Sequence, residues 1–91
     1  MVHRRVIYGL ALALLRNARG KSQKELAVVL LTNKYAIGSM ERGERDINAE
    51  ELLNASIFLR FDLPQFMRLT TADPKAVMEC LLGPEESGMV E

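Results

Sequence analysis

Ninety-one residues suffice for one domain, and a 48% apolar content is ample for its core, although so short a chain buries only a modest share of its surface. The formal net charge is zero, no apolar run reaches the about 20 residues of a membrane helix, and the single cysteine, Cys80, excludes an intrachain disulfide. His3 and Cys80 are the only soft metal ligands, so no metal or other cofactor is expected.

The charge is unevenly distributed. Residues 1–45 hold nine Lys/Arg against three acidic side chains, and residues 46–91 hold three against nine. Such a dipole can turn the first half toward phosphates and the second half away from them.

Six helices are predicted in chain order, with no strand-like alternation and no internal repeat. The first runs from about Arg4 to Ala18, with Ile7, Leu10, Ala11, Leu14 and Leu15 on one side. Its charged and apolar start resembles a leader peptide. Arg16-Asn17-Ala18-Arg19, however, stands where a small-residue cleavage site belongs, so the stretch reads as a core helix of a cytoplasmic protein. Gly20 supplies a turn. Ser22 and Glu25 form a capping box that opens the second helix, and Leu26, Ala27, Val29 and Leu30 follow. Asn33 caps the third helix, from Lys34 to about Arg42, and Gly43 ends it.

Asn48 and Glu51 make a second capping box for the fourth helix, with Ile47 placed to staple onto Leu52. Leu52, Leu53, Ile57, Phe58 and Leu59 supply its apolar pattern. Asp62 and Gln65 repeat the device for a short fifth helix, where Phe61 can reach Phe66. Asp73 caps the sixth, Pro74 takes its first position and Gly83-Pro84 stop it. The domain therefore spans residues 1–84, and residues 85–91 read as a flexible tail.

The second and third helices are joined only by Leu31, Thr32 and the cap Asn33, a link that forces a steep crossing. Leu26, Ala27, Leu30, Ile37 and Met40 can pack the pair inward. Lys34, Tyr35, Gly38, Ser39 and Arg42 are left for the outer face of the third helix, which carries no acid. A short helix of that kind fits a DNA major groove, where side chains near its N-terminus meet base edges.

The ordered set of motifs resembles a known family. Ser22-Gln23-Lys24-Glu25-Leu26-Ala27, Glu41-Arg42-Gly43, Asn48-Ala49-Glu50-Glu51-Leu52-Leu53 and Asp62-Leu63-Pro64-Gln65-Phe66 are similar to successive signatures of the helix-turn-helix family of the lambda and 434 phage repressors and Cro. The likeness covers residues 14–67. It implies an all-α domain, a compact bundle of five to six short helices of the lambda repressor type with its motif at residues 22–42. It implies a bacterial or phage regulator of transcription, a repressor, that binds double-stranded DNA.

By this resemblance Lys34, Tyr35 and Ser39 fall on base-reading positions, and Gln23, Asn33, Arg42 and Arg45 contact the backbone. Arg16 and Glu41 match a pair tying the first helix to the end of the third. Lys34 can donate to guanine, and Tyr35 can meet a thymine methyl or a phosphate, or be half-buried packing. The chain departs from the pattern at Leu31 and Arg60, where glycine is usual. At Leu31 either the turn is altered or the side chain plugs a hydrophobic gap. Gly38 inside the third helix costs about 1 kcal/mol of helix propensity.

Phage repressors of this family bind palindromic half-sites as dimers, so a homodimer is expected. Val77, Met78, Leu81 and Leu82 give the sixth helix an apolar face suited to that contact, with Phe66, Met67 and Leu69 nearby; the other reading is that both helices seal the monomer. Cys80 is expected to be buried, and His3 has no assigned role. A protein-interaction module of antitoxin type is the rival function. An enzyme is not expected, because Glu50 and Glu51 stand at a helix start with no evident basic or nucleophilic partner.

Overall fold

The computed structural model describes residues 3–82, except for the side chain of Leu82. The expected Gly83-Pro84 stop and the 85–91 tail lie outside the described residues. Among the described residues there are six helices, α1 (Arg4–Ala18), α2 (Gln23–Val29), α3 (Lys34–Glu41), α4 (Ala49–Leu59), α5 (Leu63–Met67) and α6 (Pro74–Leu82). No strand occurs among the described residues, and no helix there is long and apolar enough to cross a membrane.

Local capping chemistry sets where the helices begin. Ser22 and Asn48 each accept from the N–H three residues on, and Glu25 and Glu51 return a bond to the cap N–H, so both capping boxes close. Asn33 accepts from Ala36 N at 3.0 Å, and Asp62 from Gln65 N at 2.9 Å. Asp73 Oδ1 accepts from Lys75 N at 3.1 Å. His3 caps α1, its Nδ1 accepting from Arg5 N at 3.4 Å. That role was not anticipated.

The helix ends share one device. After α1, α2 and α3 the chain turns through a left-handed residue, Gly20, Leu31 and Gly43 respectively. Paired backbone bonds then close the end. At α2 they run from Leu31 N to Val28 O at 3.2 Å and from Thr32 N to Ala27 O at 2.9 Å. Leu31 thus holds φ 59° with a leucine side chain, a conformation that costs an L-residue roughly 1–2 kcal/mol. It plugs no gap, since 89% of it is exposed. Arg60, after α4, takes φ 58°. There the Arg19 guanidinium donates to the carbonyls of Leu59 at 2.7 Å and Arg60 at 2.8 Å, neutralising the helix end.

The core gathers on α1, which packs against α3, α5 and α6. Leu12, Leu15, Leu26, Ile37, Met40, Leu59, Phe66 and Val77 are fully buried within it. Leu10 and Leu14, expected on the core side of α1, are only half-buried, because the buried stripe instead runs through Ile7, Tyr8, Gly9, Ala11, Leu12 and Leu15. A methyl group at Gly9 would overlap the carbonyl oxygen of Met40, so α1 and α3 approach closer than any other residue permits. Tyr8 donates to Met67 O at 3.0 Å, and its ring leans on Phe66. Phe66 stacks on Phe61 with centroids 4.8 Å apart, as the fifth-helix pattern suggests. Ile47 and Leu52 both enter the core.

The far end of the domain calls for two corrections. Val77 and Leu81 are buried in the monomer's own core, so they present no surface to a second molecule. Met78 is half-buried, and the side chain of Leu82, the fourth residue expected at that contact, lies outside the described residues. The fifth-helix group divides likewise, with Phe66 and Leu69 buried and Met67 exposed. The buried stripe of α6 is narrow, and Cys80 falls outside it: the thiol is exposed rather than packed.

Candidate nucleic-acid interface

The helix-turn-helix is held from within by one carboxylate. Glu41, at the end of α3, accepts from Arg16 Nε at 2.7 Å, Arg16 Nη2 at 3.1 Å and Gln23 Nε2 at 2.9 Å. Arg16 also donates to Lys21 O at 2.8 Å. A single group thereby joins α1, the start of α2 and the end of α3. The Arg16 and Glu41 side chains are only 12% and 8% exposed, so each charge depends on the other for its solvation. Gln23, assigned to phosphate contact, commits an amide N–H to this cluster and keeps its amide oxygen free of any bond within the described residues.

With Glu41 neutralised, the outer face of α3 has no free acid. Lys34 is exposed, and Tyr35 is 75% exposed, which excludes its reading as half-buried packing. The Lys34 ammonium sits 5.6 Å from the Tyr35 ring centroid, within cation–π range. Ser39 is half-buried one turn on. Arg42 folds back along α3. A methyl at Gly38 would come within 2.9 Å of its Nη1, so the guanidinium occupies the space the glycine leaves. It is held there by Glu44, at 3.1 Å, and lies 3.5 Å from Ser39 Oγ.

The remaining predicted residues divide. Asn33 uses its side-chain oxygen to cap α3, which leaves its amide N–H groups for a phosphate. Arg45 is drawn toward α4: its two Nη atoms donate to the Glu51 carboxylate at 2.9 and 3.2 Å. Glu51, taken from the sequence to lack a basic partner, therefore has one. That pairing joins residues across a loop, and nothing in the local pattern signals it.

One cation escaped the sequence reading. Lys24 on α2 and Lys34 on α3 flank an open groove of about 380 Å³ floored by Ala27, Val28, Thr32 and Asn33. The only available signal was its place in the basic half of the chain. Nearby, Glu25 is occupied by the capping box. The Ser22 N–H bonded to its carboxylate holds the group below the ordinary carboxylate range. Lys24, Lys34 and Arg42 thus occupy one motif whose acids are bonded or paired, an arrangement suited to polyanion contact.

Comparison with known families agrees with this geometry. A family model described as Helix-turn-helix matches residues 12–66, from the middle of α1 to the last turn of α5. No curated protein matches the chain significantly. The family consists of DNA-binding regulators rather than enzymes. From its all-helical architecture, the α2–turn–α3 motif and this match over more than half its length, the chain belongs to the Cro/C1-type helix-turn-helix family of transcription regulators.

Proposed function

We propose that this protein is a sequence-specific, dimeric repressor that binds palindromic duplex DNA by setting α3 into the major groove. The observation that carries the reading is the exposed, acid-free face of α3, braced at its far end by the Arg16–Glu41–Gln23 cluster. Lys34 and Tyr35, in the first turn, read base edges, and Ser39 reads where the backbone comes close. Asn33, Gln23, Lys24 and Arg42 hold the phosphates, Arg42 exchanging its bond to Glu44 for one to DNA. Arg45, bonded to Glu51, makes the weakest of these contacts.

The test is selection from a random duplex pool at two salt concentrations, with sequencing of the retained DNA. A palindrome should be enriched, and its affinity should fall steeply with salt. Lys34→Ala and Tyr35→Ala should relax the selected sequence. Arg42→Ala should weaken all sequences alike and lower the salt slope by about one. Absence of both enrichment and salt-sensitive retention would refute the proposal. Val28 and Leu31, 70% and 89% exposed beside the motif, support a second reading, a helix-turn-helix that docks a protein partner. That reading requires Leu31→Asp to abolish partner binding while leaving DNA retention unchanged.

A further inference from the structure

The inner face of α4, formed by Leu52, Ala55, Ser56 and Leu59, is buried in the monomer. Its outer face is not covered. Leu53 is 50% exposed and Ile57 69%, and one turn beyond them on either side stand Glu50 and Arg60, both exposed. At 3.6 residues per turn, Glu50, Leu53 and Ile57 fall within an arc of roughly 60°, and Arg60 continues the line at the helix's left-handed cap. Among the described residues, neither the Glu50 carboxylate nor the Arg60 guanidinium has an ion-pair partner. The order acid, leucine, isoleucine, base is symmetrical about Ala55, with opposite charges at the two ends.

We infer that α4 pairs antiparallel with α4 of a second copy of this chain. A two-fold axis crossing the outer face of α4 at the height of Ala55, whose own side chain is buried on the opposite face, sets Leu53 of each copy against Ile57 of the other, and Glu50 of each against the other's Arg60. A self-complementary patch of this kind is what an isologous contact requires. A parallel arrangement would oppose like charges, and an unrelated partner has no need of the symmetry. The helix dipoles add to the preference, because each α4 N-terminus comes to lie beside the other's C-terminus. The contact is small, so the dimer is weak in isolation and is reinforced when both copies occupy adjacent half-sites. The inference deepens the proposed function by naming the surface that joins the two DNA-binding units, in place of the α6 face, whose Val77 and Leu81 are taken up by the monomer's own core.

Sedimentation equilibrium of the full chain across a wide concentration range tests it, with Ile57→Asp, Glu50→Arg, Arg60→Glu and the double exchange E50R/R60E. The wild type should dimerise reversibly. Ile57→Asp should raise the dissociation constant by at least about tenfold, through loss of apolar burial at both ends of the two-fold contact. Each single charge reversal should weaken the dimer several-fold at low salt, and the double exchange should restore it. Circular dichroism identifies any variant that fails to fold, and in that case the charge exchange decides alone. A wild type that stays monomeric, a dimer indifferent to Ile57→Asp, or a double exchange without recovery would each overturn the inference. Binding to a single half-site duplex separates the two proposals. If a monomeric Ile57→Asp variant still binds it, only cooperative binding to the palindrome depends on α4. If the wild type dimerises through α4 but binds no DNA, the interface stands and the DNA reading fails.

Discussion

Replacing Leu31 by glycine should make this protein more stable, although the change removes a large apolar side chain. Leu31 holds φ 59°, where the clash of Cβ with the backbone costs an L-residue roughly 1–2 kcal/mol. Its side chain is 89% exposed, so almost no burial is lost with it. Against this, glycine has more backbone freedom to lose on folding, a penalty of about 0.5–1 kcal/mol. The difference spans about 0–1.5 kcal/mol and centres on a net stabilisation of about 0.75 kcal/mol, which in a domain of this size raises Tm by roughly 3–6 °C. The bonds from Leu31 N to Val28 O and from Thr32 N to Ala27 O involve backbone alone and survive the change. Urea and thermal melts of Leu31→Gly, Leu31→Asn and Leu31→Ala check the argument. Glycine should rank first and asparagine, which tolerates the left-handed region, second. Alanine, which keeps the clash, should stay near the wild type. A glycine variant no more stable than the wild type would refute the reasoning and show that the exposed leucine contributes to the fold in some other way.

Three further outcomes follow from the same structure. Gly9→Ala places a methyl on the Met40 carbonyl and should cost about 3 kcal/mol or more, read as a fall in the urea midpoint, because two helix backbones must separate. Glu41→Ala leaves Arg16 buried without its partner and should cost about 3 kcal/mol; it should also reduce DNA affinity, because Gln23 and the end of α3 lose their common anchor. Glu25→Gln probes pH dependence. Folding lowers the Glu25 pKa through its bond to the Ser22 N–H, so the stabilisation is complete above the unfolded carboxylate pKa and is lost as pH falls through the folded value. The wild type should therefore exceed Glu25→Gln in stability at neutral pH, and the gap should close as pH falls past the unfolded carboxylate value and through the lowered folded one.

Much of the architecture is encoded locally. Ser22, Asn33, Asn48, Asp62 and Asp73 all cap the helices they precede, because a cap is a bond between residues two or three apart and owes little to the rest of the molecule. The short Leu31-Thr32-Asn33 link and the apolar set Leu26, Ala27, Leu30, Ile37 and Met40 likewise define a helix pair with one buried side, and all five are buried. The Arg16–Glu41 pair came only from resemblance, since residues 25 positions apart give no local sign of meeting.

The tertiary structure alone decided which stripe of each helix is covered and by what. An amphipathic pattern gives the width of an apolar face but not whether a neighbour in the same chain will cover it. Val77 and Leu81 therefore suit a dimer surface or a seal on the monomer equally well in the sequence and are core, while Leu53 and Ile57, part of the apolar pattern of α4, stand in solvent. Polar and charged side chains follow the same logic. Arg19 found the carbonyls ending α4, Arg45 found Glu51, and Gln23 found Glu41. Each of these bonds depends on where helices meet after packing. The periodicity of the chain specifies helices; the relative placement of their faces comes from the summed burial of the whole core, to which every helix contributes and which no single segment contains.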